Sequence, residues 1–240
     1  MLLCGLPDLK LAQQAARSCY ATVTPPYTET VLRYAITDRV RLAASEPSRR
    51  EALLNQARAC PAAGIDFLQL REKDLSPRDL AETARAILAV FAEHNGPRPK
   101  LLINSRADIA IATRADGVHL TSAADELTPE QVRTLFASSG LPEPVISISC
   151  HSLADVIRAR SLAPSLILFG PVFEKVVSDP ATQHTTDALI SRGTGLNLLH
   201  TACAAAAPIP VLALGGITEA NTPDCLEAGA AGIAGIRLFA

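Results

Sequence analysis

The chain has no tryptophan, and aromatic residues fill only 4% of its 240 positions. This argues against an aromatic-rich β-sandwich and for an aliphatic α/β core. An excess of charge is also missing: 22 Lys and Arg face 24 Asp and Glu, for a formal net charge of −2. That excludes a polycation gripping nucleic acid by bulk charge, and equally an acidic tail protein. No apolar run approaches the roughly 18 residues that a bilayer-spanning helix needs, so no membrane partner is expected. The opening MLLCGLPDLK has neither a basic stretch nor a long apolar one, and reads poorly as a secretory signal. Six cysteines (Cys4, Cys19, Cys60, Cys150, Cys203 and Cys225) are scattered, with none at CxxC spacing. A zinc ribbon or a thioredoxin-type motif is therefore not expected, and reduced, buried thiols point to the cytoplasm.

What is present is alternation. From residue 33 onward, short aliphatic runs alternate with helical patterns. Eight runs read as strands: Arg33–Thr37, Asp66–Arg71, Lys100–Asn104, Asp116–Leu120, Val145–Ser149, Leu166–Gly170, Pro210–Leu214 and Ala231–Ile236. Most lack polar alternation, as strands buried on both faces do. Helix starts are marked by Ser48-Arg49-Arg50-Glu51, by Ser76-Pro77, by Thr128-Pro129-Glu130-Gln131, and by Ser152 and Thr218. Leu80, Ala84, Ile87, Leu88 and Phe91 recur at helical spacing, and Gly140 ends the following helix. Strand–helix repetition with short connections means parallel strands joined by right-handed crossovers. Eight such units fit a TIM (β/α)8 barrel better than a doubly wound sheet, and TDRVRL after the first strand is no GxGxxG fingerprint.

Residues 1–32 are expected to form a partly helical N-terminal extension, and 33–240 the barrel. The chain reaches Ala240 without room for a normal final helix, and the extension is expected to cover the surface that helix would cover. The polar stretch 176–192 is too long for an ordinary connector and reads as an active-site flap or a disordered loop.

In such barrels the chemistry sits at the C-terminal strand ends. Those ends carry Gln69, Arg71 and Lys73 after strand two, Asn104 after strand three, and Ser149 and His151 after strand five. Lys175 follows strand six, Gly215-Gly216 strand seven, and Gly235 and Arg237 strand eight. Cations and backbone amides converging on one mouth suit a phosphate or pyrophosphate. Alternation puts Gln69, Arg71 and Lys73 on one side of their strand. His151 is the preferred acid/base candidate, with His119 a weaker one. Cys150 is expected to point into the core, and no His or Cys spacing suggests a metal site.

Taken together, YAITDR, GIDFLQLREKDLS, LLINSRADIAIATRADGVHL, SCHS, LFGPVFEK, PVLALGGIT and EAGAAGIAGI resemble the thiamine phosphate synthase/TenI family from about residue 33 to the end. The resemblance implies a TIM barrel in thiamine biosynthesis that binds a thiazole phosphate. It carries two activities. A synthase joins hydroxymethylpyrimidine diphosphate to thiazole phosphate with Mg2+, releasing pyrophosphate; a TenI-type tautomerase isomerises a thiazole carboxylate phosphate without metal. By the resemblance, Arg71, Lys73 and Asn104 hold the diphosphate and Gln69 the pyrimidine. Gly215, Gly216 and the turn after strand eight cradle the thiazole phosphate, and His151 is the tautomerase acid/base.

The pattern is broken where a synthase has its Mg2+-binding Asp residues. Ser105 stands at one of them. In LTSAADE, Ala124 holds the register of the other, with Asp125 one place on. These losses and the NSRADIA and SCHS segments favour a TenI-like thiazole tautomerase with no cofactor. A synthase is the second reading, with Mg2+ and Asp125 as its candidate ligand, and a non-catalytic thiazole-phosphate-binding regulator the third. Arg237, where the family usually has Ser, would add a phosphate contact. A homo-oligomer is left open.

Overall fold

The computed structural model describes residues 31–121, 123, 125–177 and 189–239. The expected N-terminal helix, and all but the flanks of the 176–192 stretch, lie outside them. Among the described residues there are ten strands: β1 (Leu32–Ile36), β2 (Phe67–Leu70), β3 (Lys100–Asn104), β4 (Gly117–Leu120), β5 (Val145–Cys150), β6 (Leu166–Phe169), β7 (Lys175–Val177), β8 (Leu189–Ser191), β9 (Val211–Leu214) and β10 (Gly232–Gly235). Eight of them close a parallel barrel in the order β1-β2-β3-β4-β5-β6-β9-β10, and β10 pairs back onto β1. These are the eight expected strands, each within two residues of its expected ends. The TIM barrel follows. The short antiparallel ribbon β7–β8 is additional; it flanks the stretch read as a flap.

Helices α1 (Glu46–Ala59), α2 (Pro77–Ala92), α3 (Ala107–Thr113), α4 (Pro129–Ser138), α5 (Leu153–Ser161), α6 (Leu196–Ala206) and α7 (Thr222–Glu227) follow successive barrel strands. Local chemistry explains several of their boundaries. Ser76 caps α2 by accepting from Asp79 N–H, and Ser152 does the same for Asp155. Thr128 and Gln131 form a reciprocal capping box. Gly140 follows α4 with φ 65°, a left-handed stop. Two expected starts are corrected. α1 begins at Glu46 rather than after Ser48, because Pro47 suits the first turn. Thr218 does not cap α7; it exchanges hydrogen bonds with Asn221 in the preceding turn.

Alternation divides the core in two. Tyr34, Ile36, Leu102, Leu166, Leu168 and Leu212 point into the barrel. Leu68, Leu70, Leu101, Ile103, Val118 and Leu120 point outward against the helices, where α2 contributes Leu80, Ala84, Ile87 and Phe91. Each such large apolar side chain stabilises by about 1.5–3 kcal/mol when fully buried. Cys150 lies in this outer layer, wholly buried, and burial pushes its thiol up to about 12. That is packing, not nucleophilic chemistry. No helix among the described residues is long and apolar enough to cross a membrane.

Candidate active site at the C-terminal mouth of the barrel

The apolar filling of the barrel gives way to polar side chains toward the strand ends. Gln69 on β2, Asn104 on β3, His119 on β4 and Ser147 and Ser149 on β5 all take inward registers. Above them opens a cavity of about 1380 Å³ lined by Arg71, Lys73, His151, Gly215, Gly216 and Arg237 among others. That exceeds the roughly 300–1,000 Å³ usual for a single small ligand.

Gln69 is 1% exposed and donates from Nε2 to Asn104 Oδ1 at 2.8 Å. Its Oε1 is buried with no hydrogen-bond partner. An orphaned buried acceptor costs about 1–3 kcal/mol unless a ligand supplies the donor. The Asn104 amide NH2 likewise has no acceptor among the described residues. The pair therefore offers one acceptor and one donor side by side, the complement of an amino group next to a ring nitrogen.

His119 is the residue that sequence reasoning underrated. It is buried, with Nδ1 2.8 Å from Ser147 Oγ and Nε2 2.9 Å from Ser149 Oγ, and Tyr34 OH lies 3.0 Å from the same Ser147 Oγ. Burial, together with the positive charges of Arg71 and His151, lowers its pKa to about 3. It is thus a neutral ring that fixes the Ser149 hydroxyl at the floor of the mouth. Polar Ser at alternate places in VISISC, opposite GVHL, was the signal available.

His151 sits at the rim and is exposed. Its Nδ1 lies 2.5 Å from Gly170 O and its backbone N–H donates to Asp155 Oδ2 at 3.1 Å. With Nδ1 engaged by that carbonyl, Nε2 has no partner among the described residues. The side chains of Arg71, Lys73 and Arg237 have no hydrogen-bond or ion-pair partner among the described residues. For Lys175 only the backbone position, at the start of β7, is described.

Gly215 and Gly216 have φ of 90° and 68°. A Cβ on Gly216 would sit 2.7 Å from Phe173 Cβ and 2.9 Å from Glu174 O. Neither Gly216 N–H nor Ile217 N–H donates to another described residue. Gly235 opens the corresponding turn after β10. Free N–H groups such as those of Gly216 and Ile217 are the kind of donors an anion requires.

Asp125 is exposed in the loop after β4. The carboxylate between the β3 and β4 ends is Glu126, whose Oε2 accepts from Ser105 Oγ at 2.8 Å, Thr121 N–H at 3.2 Å and Thr121 Oγ at 3.1 Å. Among the described residues no group of three or more His, Cys, Asp and Glu is placed to hold a metal ion. This one carboxylate, bridging two strand ends, differs from the pair of Asp residues that the family resemblance implies for a Mg2+ site.

Fold and mouth together define a (β/α)8 barrel with a wide, cation-lined cavity at its C-terminal end. The chain belongs to the thiamine monophosphate synthase family, whose model matches residues 33–239. It is 38% identical over 201 residues to a putative thiamine-phosphate synthase of Geobacter sulfurreducens, covering 84% of this chain and 83% of that one. It is 36% identical over 178 residues to a thiamine-phosphate synthase of Methanoculleus marisnigri, covering 74% and 75%. Among solved structures it resembles a thiamine phosphate pyrophosphorylase from Pyrococcus furiosus, with TM-score 0.64 and 27% identity over 86% of this chain and 85% of that one.

Proposed function

We propose that the chain is a cytoplasmic thiamine-phosphate synthase, which reverses the order of the two enzymatic readings favoured by the sequence alone. The observation that carries this is the orphaned Gln69 Oε1 beside the Asn104 amide. An aminopyrimidine supplies the matching N–H and ring nitrogen, whereas a thiazole carboxylate phosphate offers no such N–H. The synthase names of the relatives and the size of the mouth support the same choice.

In this reading Gln69 and Asn104 orient the pyrimidine. Arg71 and Lys73 take the diphosphate, and the cradle at Gly215, Gly216 and Gly235, with Arg237, takes the thiazole phosphate. The thiazole nitrogen lone pair forms the new C–N bond to the pyrimidine methylene as its C–O bond breaks. The electron pair of that bond leaves with pyrophosphate. Negative charge grows on the leaving oxygen, where preformed cations lower the barrier most. The chain's own cations meet that charge. Ser149, held by His119, lies under the reacting centre.

A thiazole tautomerase is the second reading. The anchored Nδ1 of His151 favours it, since the free Nε2 is ready to move a proton. One incubation separates the alternatives. The pure protein is mixed with hydroxymethylpyrimidine diphosphate and thiazole phosphate, with Mg2+ or with EDTA, and thiamine phosphate and pyrophosphate are followed. Stoichiometric formation of both supports the synthase. Their absence, with isomerisation of thiazole carboxylate phosphate, overturns it for the tautomerase; binding without either product leaves the regulator.

A further inference from the structure

At the β1 and β2 ends, four charged residues with alternating sign stand in a row: Arg71, Glu72, Lys73 and Asp74. Two carboxylates interleaved with two cations would ordinarily neutralise them. Here they do not, because a fifth residue takes both carboxylates. Arg39, in the turn after β1, has a side chain only 4% exposed. Its Nη1 donates to Asp74 Oδ2 at 2.9 Å and Oδ1 at 3.1 Å, and lies 3.8 Å from Glu72 Oε2; its Nη2 lies 3.2 Å from Glu46. Its backbone N–H bridges both oxygens of Glu72 at 3.2 Å. Thr37 closes the loop: its hydroxyl donates to Glu72 and accepts Arg71 N–H at 2.9 Å. Burial raises the Glu72 pKa, opposed by Thr37 and Arg39, while Arg39 draws that of Asp74 down against its own burial.

We propose that Arg39 is a positioning residue that diverts Glu72 and Asp74 away from the mouth, and so keeps Arg71 and Lys73 unpaired for a diphosphate. The inference rests on the proposed function, since it takes these two cations as the diphosphate grip. The geometry makes a specific demand. Removing Arg39 matters only because it releases carboxylates, so removing those carboxylates as well must make Arg39 dispensable.

The test measures pyrophosphate binding calorimetrically to the full chain and to Arg39→Met, Arg39→Met/Glu72→Gln and Arg39→Met/Glu72→Gln/Asp74→Asn, each first checked for a native melting transition. Arg39→Met is expected to weaken pyrophosphate at least tenfold. The triple variant is expected to return within about threefold of the parent. In turnover, Arg39→Met raises KM for the pyrimidine diphosphate and leaves KM for thiazole phosphate unchanged. If Arg39→Met does not fold, the double variant, which releases Asp74 alone, takes its place and is expected to bind more weakly than the triple. Unchanged affinity in the variant lacking Arg39, or a triple variant no tighter than it, overturns the inference while the function stands. A parent chain that binds no pyrophosphate overturns both.

Discussion

The two rims of the barrel treat charge in opposite ways. At the N-terminal rim, Arg98 and Lys100 are matched. Asp116, with a side chain 11% exposed, takes Arg98 at 2.6 Å and Lys100 at 3.3 Å, and accepts Leu101 N–H. Asp66 accepts Arg33 N–H, and the Arg33 guanidinium caps Ala63 O. At the C-terminal rim, Arg71, Lys73 and Arg237 are left without partners among the described residues. A chain near net neutrality thus concentrates uncompensated positive charge on one face. Paired charge at the closed end serves stability; in the proposed function, the unpaired charge at the open end serves binding.

Four substitutions break or sharpen this contrast. The largest effect is expected from Arg71→Ala: turnover of the pyrimidine diphosphate falls about a thousandfold, or about 4 kcal/mol of transition-state stabilisation. Its thermal midpoint stays within a few degrees of the parent, which steady-state kinetics and melting together check.

Next comes His119. Its folded-state pKa is lowered to about 3, so the folded chain keeps it neutral while the unfolded chain protonates it below about 6.5. Unfolded chain binds the extra proton, so stability is lost as pH falls through that window, by about 1.4 kcal/mol per pH unit at the limit. His119→Asn removes this slope. Denaturant melts at pH 6.5 and 4.5 should show the parent losing about 2–3 kcal/mol more than the variant; equal losses would sink the assignment.

Asp116→Asn at the closed rim is expected to cost about 2 kcal/mol of stability by leaving partly buried Arg98 unpaired. Turnover per folded molecule is unchanged, the converse of Arg71→Ala. The smallest effect belongs to Arg78→Met, on an exposed α2 pair with Glu82 at 3.1 Å. Less than about 0.5 kcal/mol is expected by urea titration.

Much of this was legible in the sequence, and the reasons are local. Strands such as KLLIN and LILFG carry their burial in their own composition, and capping residues announce α2, α4 and α5. The strand-end cations follow from topology once eight strands are counted. What escaped depends on residues distant in sequence. Nothing near Arg39 predicts that it meets Glu72 and Asp74, 33 and 35 positions on. Glu126 reaches the β3 end from an irregular loop whose register cannot be counted from β4. GVHL reads as an ordinary core strand until Ser147 and Ser149 are laid beside it. The three-residue strands β7 and β8 are too short to show a period.

The close fit of Gly216 against Phe173 also links two parts of the mouth. Val172 N–H donates to Leu214 O and Phe173 N–H to Gly215 O, at 2.9 and 3.0 Å. Gly195 N–H, at the start of α6, returns to Val172 O at 2.9 Å. The segment leading into the ribbon is therefore stitched to the anion cradle with no side chain between them. In the proposed function, a phosphate settling on the Gly216 and Ile217 amides is expected to slow exchange at the amides of Val172 and Phe173. Their hydrogen exchange becomes a built-in reporter of occupancy, readable before any product is made.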